Sequence, residues 1–334
     1  MSNTQEQKLF IWYENNKRDL PWRKNKNPYF IWISETMLQQ TTTTAVIPYF
    51  HRFIKTFPTL ESLANAKEAD VLVAWSGLGY YSRARNLHKA AKQLHDLKSF
   101  PTSAEELIAL PGFGPYTSRA VSSIAFNEKV GVLDGNVIRV LSRLNNIKSQ
   151  WWKTQERKQL QSISDEMAQY KNSATMNQAL MELGATICTP KSPYCLSCPW
   201  VKNCKSLKAN TNNELPMKKP KKSFEIYQWN PEVYTKEINK KVHVALIKND
   251  YAPFLKKQWL FPGTISKKSS KPKTFDFKHT ITHHQIYTIP KFKKQLPPSL
   301  NSKITWVHIN EIKKWNPTSL VEKVREKVRT HFCF

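Results

Sequence analysis

The chain has 334 residues, enough for two domains with a core each. Its 52 Lys and Arg outnumber 25 Asp and Glu, and the formal charge of +27 favours a polyanionic partner, nucleic acid before an acidic membrane surface. No run of eighteen apolar residues exists to span a membrane, and the opening MSNTQEQKLF lacks the basic-then-apolar order of a signal peptide, so a cytoplasmic protein is expected.

In chain order, residues 1–204 read as mostly helical. From Glu35 to Phe50 apolar residues recur at helical spacing. Leu110-Pro-Gly-Phe-Gly114, followed by Pro115-Tyr-Thr-Ser-Arg, predicts a hairpin between two helices. Gly112 and Gly114 would let backbone amides approach a phosphate, and the next helix start adds a positive dipole end. Such a hairpin holds a DNA backbone without reading its sequence. On its own an L-P-G-x-G run is usually only a turn. About twenty residues later Asp134-Gly-Asn-Val opens a helix whose Val137, Val140, Leu141 and Leu144 share one face. Asp134 stands at its start, as a cap or first-turn carboxylate would.

Cys188, Cys195, Cys198 and Cys204 follow, spaced C-x6-C-x2-C-x5-C within seventeen residues; the other cysteine is Cys333. Thiols this close suit one compact metal centre rather than a disulfide framework, and a reducing cytosol agrees. Structural zinc usually takes two separated C-x2-C-like knuckles. Four cysteines are also the ligand set of a 4Fe–4S cubane. The spacing alone leaves both open.

After Cys204 the character changes. Residues 205–224 are polar and lysine-rich with two prolines, a linker composition. Strand-like runs then come at Lys241–Lys248, Ile281–Ile289 and Ile304–Ile309, with a helical tail over Leu320–Thr330. That pattern predicts a smaller α+β domain over 225–334. Residues 205–334 hold 27 Lys or Arg against 9 Asp or Glu, mostly lysine, which suits loose phosphate contact.

Three further motifs narrow the reading: Leu20-Pro21-Trp22-Arg23, Trp32-Ile-Ser-Glu-Thr-Met-Leu-Gln-Gln-Thr41, and Gly77-Leu-Gly-Tyr-Tyr-Ser-Arg-Ala-Arg-Asn86. With the hairpin, Asp134 and the cysteine loop, they make residues 8–204 resemble the MutY-type adenine DNA glycosylases of the helix-hairpin-helix, or endonuclease III, superfamily. The C-terminal part resembles that family's MutT-like (Nudix-like) domain, through Trp259-Leu-Phe-Pro-Gly and Phe277-Lys-His-Thr-Ile-Thr-His. No R-E-x-x-E-E cluster exists, so no pyrophosphohydrolase is expected. The resemblance implies an all-α glycosylase domain with an iron–sulfur loop, a linker, and an α+β domain that reads 8-oxoguanine.

It also implies roles. Glu35 would protonate adenine N7, because an adenine anion is a poor leaving group. Asp134 would stabilise the sugar cation and Asn136 orient it or a water. Tyr116 stands where bifunctional relatives carry the lysine that forms a Schiff base, so base removal without strand cleavage is expected. Arg23 and Glu182 match the adenine pocket. Gln40, Thr41, Leu78 and Tyr80 match residues that wedge into the duplex, and Gly112 and Gly114 hold its backbone. Thr282 and His283 fall in the loop that usually reads Phe-Ser-His; Ile281 loses the aromatic face and Thr282 keeps the hydroxyl. The four cysteines would hold one 4Fe–4S cluster. The expected partner is double-stranded DNA carrying 8-oxoguanine:adenine or guanine:adenine, met by a monomer. Rival readings are another base-specific glycosylase of the superfamily and a non-catalytic iron–sulfur DNA-binding protein.

Overall fold

A computed structural model describes residues 4–220 and 223–332. The chain forms two compact units, Met1–Ala66 with Tyr80–Pro220, and Lys67–Gly79 with Lys221–Phe334.

The first unit is helical. It holds α1 (Gln5–Asn16), α2 (Pro28–Leu38), α3 (Thr43–Thr56), α4 (Leu60–Ala64), and, after α5 (Glu68–Ala74) of the second unit, α6 (Ser82–Asp96) and α7 (Ala104–Leu107). Then come α8 (Pro115–Phe126), α9 (Gly135–Asn145), α10 (Thr154–Ala168), α11 (Ser173–Thr186) and α12 (Lys205–Lys208). Helix α2 starts where the Asn27 side chain accepts from the Tyr29 N–H and Pro28 takes a first-turn position. It is buried nearly all round, through Ile31, Trp32, Ile33 and Met37 but also Ser34, Glu35 and Thr36. A helix apolar on every side belongs in a core, and it packs against α3, α6 and α8. Trp32 stacks on Phe113 with ring centroids 5.3 Å apart, which pegs the hairpin to α2. A second core joins α1, α9, α10 and α11 through Leu9, Val137, Leu141, Leu160, Leu180 and Leu183.

The stretch Glu35–Phe50, expected as helical throughout, is two helices. Helix α2 stops at Leu38 and α3 starts at Thr43, with Gln40 between them at φ 59°. Gln39 to Thr42 are four polar residues without an apolar side chain to bury, so nothing holds them in the helix.

The segment expected as a linker is also more structured. Residues 205–220 belong to the first unit. Leu215 is buried, Arg143 Nε donates to its carbonyl at 2.9 Å, and Trp151 Nε1 donates to the Met217 carbonyl at 3.0 Å.

The second unit is a mixed sheet with β1 (Glu225–Ile238), β2 (Lys241–Lys248), β3 (Trp259–Leu260), β4 (Gly263–Lys268), β5 (Phe277–Ile281), β6 (His284–Thr288), β7 (Lys291–Lys293) and β8 (Ile304–His308). Helices α13 (Ile312–Trp315) and α14 (Ser319–Phe332) follow. The long β1 pairs antiparallel with β4 and parallel with β6 in its first half, then parallel with β7, then antiparallel with β2. Strands β3 and β8 flank β2, and β5 closes the other side beyond β6. Leu320, Val321, Val324 and Val328 of α14 recur at helical spacing and join the core of Trp229, Val244, Leu246 and Ile286. The run Ile281–Ile289 is a strand end, a turn and a strand: Thr282 and His283 make the tight β5–β6 connection.

Candidate active site

A cavity of about 470 Å³ opens in the first unit, walled by Glu35, Tyr116, Asp134, Asn136, Arg23 and Glu182 among others. Gln40 and Thr41 line it as well, so eight expected residues from five stretches of chain meet in one place.

Glu35 is 5 % exposed, on the last turns of α2. The Tyr116 hydroxyl, from the first turn of α8, donates to Glu35 Oε2 at 2.6 Å. Burial pushes the Glu35 pKa up to about 7, outweighing the Tyr116 hydrogen bond; the nearby Asp134 charge pushes the same way. The carboxyl is thus poised between acid and base near neutral pH. Burial, with the charges of Glu35 and Asp134, holds the Tyr116 phenol protonated.

Asp134 is the N-cap of α9. Its Oδ1 accepts from the Val137 N–H at 2.7 Å and its Oδ2 from Asn136 Nδ2 at 3.0 Å. Burial raises its pKa, while these donors oppose the rise. The cap fixes where the carboxylate sits. Asn136 is held in turn: Arg139 Nη2 donates to Asn136 Oδ1 at 2.8 Å and to the Gly184 carbonyl at 2.7 Å. Arg139 Nε reaches the Cys188 carbonyl at 2.6 Å, which ties the Asp134 end of α9 to the cysteine loop. Gly184 permits this approach, since a Cβ there would stand 2.6 Å from the Asn136 Cβ.

Glu182, on α11, has no exposed side chain. Arg23 Nη2 meets its Oε2 at 2.8 Å, and Arg18 grips both oxygens at 2.6 and 3.0 Å. Burial alone would raise this carboxyl. The two guanidiniums outweigh it and hold the pKa below the ordinary range.

Outside the cavity wall, Gly112 takes φ 84° in the hairpin, a conformation that side chains resist, and an added Cβ would lie 2.9 Å from that of Asn86. Gly114 is the N-cap of α8 with open space around it. Gln40 and Tyr80 are exposed, both at positive φ, 59° and 50°. Thr41 is half-buried, and both Gln40 and Thr41 line the rim of the cavity; Leu78 is buried.

In the second unit Thr282 is exposed at φ 53°, uncommon for a β-branched residue. His283 and His284 turn their Nε2 atoms toward Glu225 Oε2, at 3.8 and 3.2 Å. Lys267 holds the other Glu225 oxygen at 2.6 Å, and this bond with one from Tyr227 takes the carboxyl to about 2.

The four cysteines line a small apolar pocket with Ile187, Val201 and Leu207. Arg143 Nη1 approaches Cys188 Sγ at 3.4 Å and also binds the Thr189 carbonyl, pinning the start of the loop. Burial pushes the Cys198 thiol up to about 12, and the neighbouring cysteines add to this.

Residues 33–166 match the HhH-GPD superfamily of base excision DNA repair proteins. An adenine DNA glycosylase of Buchnera aphidicola subsp. Baizongia pistaciae is 35 % identical over 97 % of this chain and 96 % of its own. The chain belongs to the adenine DNA glycosylase family. The fold agrees. A thermostable thymine-DNA glycosylase superposes with a TM-score of 0.56 at 25 % identity, over 61 % of this chain and 95 % of that one. Endonuclease III from a non-covalent DNA complex superposes with 0.51 at 22 %, over 62 % and 98 %.

Within this family's fold, sequence reasoning missed Arg18 and Arg139. Arg18 precedes the Leu-Pro-Trp-Arg motif by two residues, and its pairing with Glu182 spans 164 positions. Arg139 sits on α9 among apolar residues with no motif of its own. Its spacing from Asn136, one helical turn, was the available signal.

Proposed function

We propose that this family member is a monofunctional adenine DNA glycosylase, acting on adenine opposite 8-oxoguanine or guanine. The observation that carries the reading is a buried, neutral-prone Glu35 held by Tyr116 in the same cavity as the capped carboxylate Asp134. Adenine flipped from the stack would enter the cavity, with Glu182 and its arginines facing the base. Protonated Glu35 gives its proton to N7. The bond to C1′ then breaks toward a neutral leaving group, and positive charge spreads over the sugar. Ionised Asp134 stabilises that cation, and water completes the hydrolysis. Asn136 keeps the carboxylate oriented. Tyr116 offers a phenol where an imine would need an amine, so the reaction ends at an abasic site.

The cysteine loop supports a 4Fe–4S cluster held by Cys188, Cys195, Cys198 and Cys204. A single tetrahedral zinc, with Zn–S near 2.3 Å, would draw its sulfurs to about 3.8 Å apart. Among the described residues, the one group of three or more candidate ligands whose donor atoms all fall within 4.8 Å is Glu225, His283 and His284, so the cysteines are spread more widely. That spread and the apolar wall suit a cubane. Its contribution would be structural, since four thiolate bonds would tie down the loop whose Cys188 carbonyl receives Arg139. The second unit supplies the reader of the opposite base, through Thr282 and His283 on the β5–β6 turn.

The test is incubation with duplexes holding each mispair, followed by alkali. Abasic sites at the adenine of mispaired duplexes are expected. Adenine left intact in every duplex would overturn the reading.

A further inference from the structure

Two exposed turns of the first unit carry the residues proposed to open the duplex, Gln40 with Thr41 and Tyr80. They lie about forty residues apart in sequence and on different elements. One side chain joins them. Arg83, in the first turn of α6, sends Nη1 to the carbonyls of Thr36 at 2.9 Å and Met37 at 3.0 Å, and to that of Gln39. The first two are terminal carbonyls of α2 and the third belongs to its C-cap, groups that lack partners inside the helix. Their capture fixes where α2 ends and so where Gln40 turns outward at φ 59°. The same guanidinium lies over the Tyr80 ring, 5.4 Å from its centroid, and the Arg83 N–H donates to the Tyr80 carbonyl at 2.8 Å. Tyr80 itself stands at φ 50°, an orientation that persists only when its surroundings impose it.

We propose that Arg83 is a positioning residue that locks the Gln40–Thr41 turn and Tyr80 into one preformed wedge, so that entry of adenine into the cavity depends on it. The proposal rests on the duplex-opening role of those three residues. Arg83 lines none of the cavity that holds Glu35 and Asp134, although Gln40 and Thr41 of the turn it fixes do, so the experiment has to separate opening from bond cleavage. A planar fork can serve several carbonyls and keep a face for an aromatic ring; an ammonium has no such face. A preformed wedge spares the cost of ordering two loops as the duplex parts.

The experiment measures single-turnover excision by Arg83→Lys and Arg83→Ala on two duplexes. In one, adenine is mispaired with guanine. In the other, it faces an abasic analogue, so no opposite base needs displacing. A fluorescent adenine analogue reports flipping in the mispaired context. The ratio of rates, mispaired over unopposed, is expected to fall about tenfold in both variants relative to the parent, with a matching loss of flipping signal. Lysine should not rescue it. An unchanged ratio in Arg83→Lys, whose folding is checked by circular dichroism, overturns the proposal even where both rates fall. A parent protein inactive on both duplexes would instead sink the glycosylase reading, so the two failures are distinct.

Discussion

At the residue scale the site rests on two carboxyls with different surroundings. Glu35 is buried, and burial raises its pKa to about 7 against the opposing hydrogen bond from the Tyr116 phenol. Asp134 receives three hydrogen bonds and sits near Arg139, which work against its burial. Two consequences follow from Glu35. Glu35→Gln keeps the shape and removes the proton donor, so single-turnover excision should drop by roughly 10²–10⁴-fold while DNA binding persists. Near-normal excision would refute the acid role. The second concerns stability. The folded carboxyl holds its proton up to about pH 7, whereas in the unfolded chain it releases it near 4.5. Unfolding between those values therefore releases a proton, and stability falls as pH rises through that window, by about 3 kcal/mol in all. Glutamine carries no such penalty. The melting temperature of Glu35→Gln should exceed that of the parent by a margin that grows from pH 5 to pH 8; a constant margin would show that Glu35 is not buried as described.

At the element scale, much of the helical half was legible because short motifs coincide with backbone requirements. Asp134 reads as a cap and is one. The Leu-Pro-Gly-Phe-Gly run reads as a hairpin, and its glycine at φ 84° explains why. The break after Leu38 was not legible, since Gln39–Thr42 interrupt neither with glycine nor with proline; the apolar face simply stops there, and Arg83 from α6 takes the last carbonyls. Strand β1 was missed for the opposite reason. Asn230-Pro231 looks like a turn, yet the strand runs through it and exchanges β4 and β6 for β7 nearby. The Glu182–Arg18–Arg23 cluster joins residues more than 150 positions apart, which no local pattern encodes. The hairpin gives a prediction at this scale. Gly112→Ala forces a Cβ against Asn86 at a left-handed backbone position, so it should displace the hairpin. Affinity for mispaired and fully paired DNA should weaken by a similar factor, because a backbone contact carries no sequence information. A loss confined to mispaired DNA in a binding titration would contradict the hairpin's role.

At the scale of the whole molecule, the proposed function requires selectivity from somewhere other than the adenine pocket, because adenine is normal DNA. The opposite base is the only distinguishing mark. A site that hydrogen-bonds a distinctive group rejects substrates lacking it, and 8-oxoguanine offers an N7–H donor and a C8 carbonyl that guanine lacks. Thr282 and His283 sit on a two-residue turn at the end of a sheet whose core is closed by α14, so a rigid base presents them. The Glu225 carboxylate, held by Lys267 and Tyr227, faces the His283 imidazole from β1. Truncation after residue 220 is a blunt test, since Lys67–Gly79 clusters with the second unit and would lose its neighbours. On the proposed reading it should still flatten the salt dependence of binding, since the lysines removed would be phosphate contacts. Replacing both turn residues, Thr282→Ala with His283→Ala, leaves every core residue in place. Excision opposite 8-oxoguanine should fall by about tenfold or more, and excision opposite guanine by much less. If the double variant keeps the full preference between the two mispairs in single-turnover assays, the turn is no reader, and the choice between opposite bases is made in the first unit by Gln40, Thr41 and Tyr80.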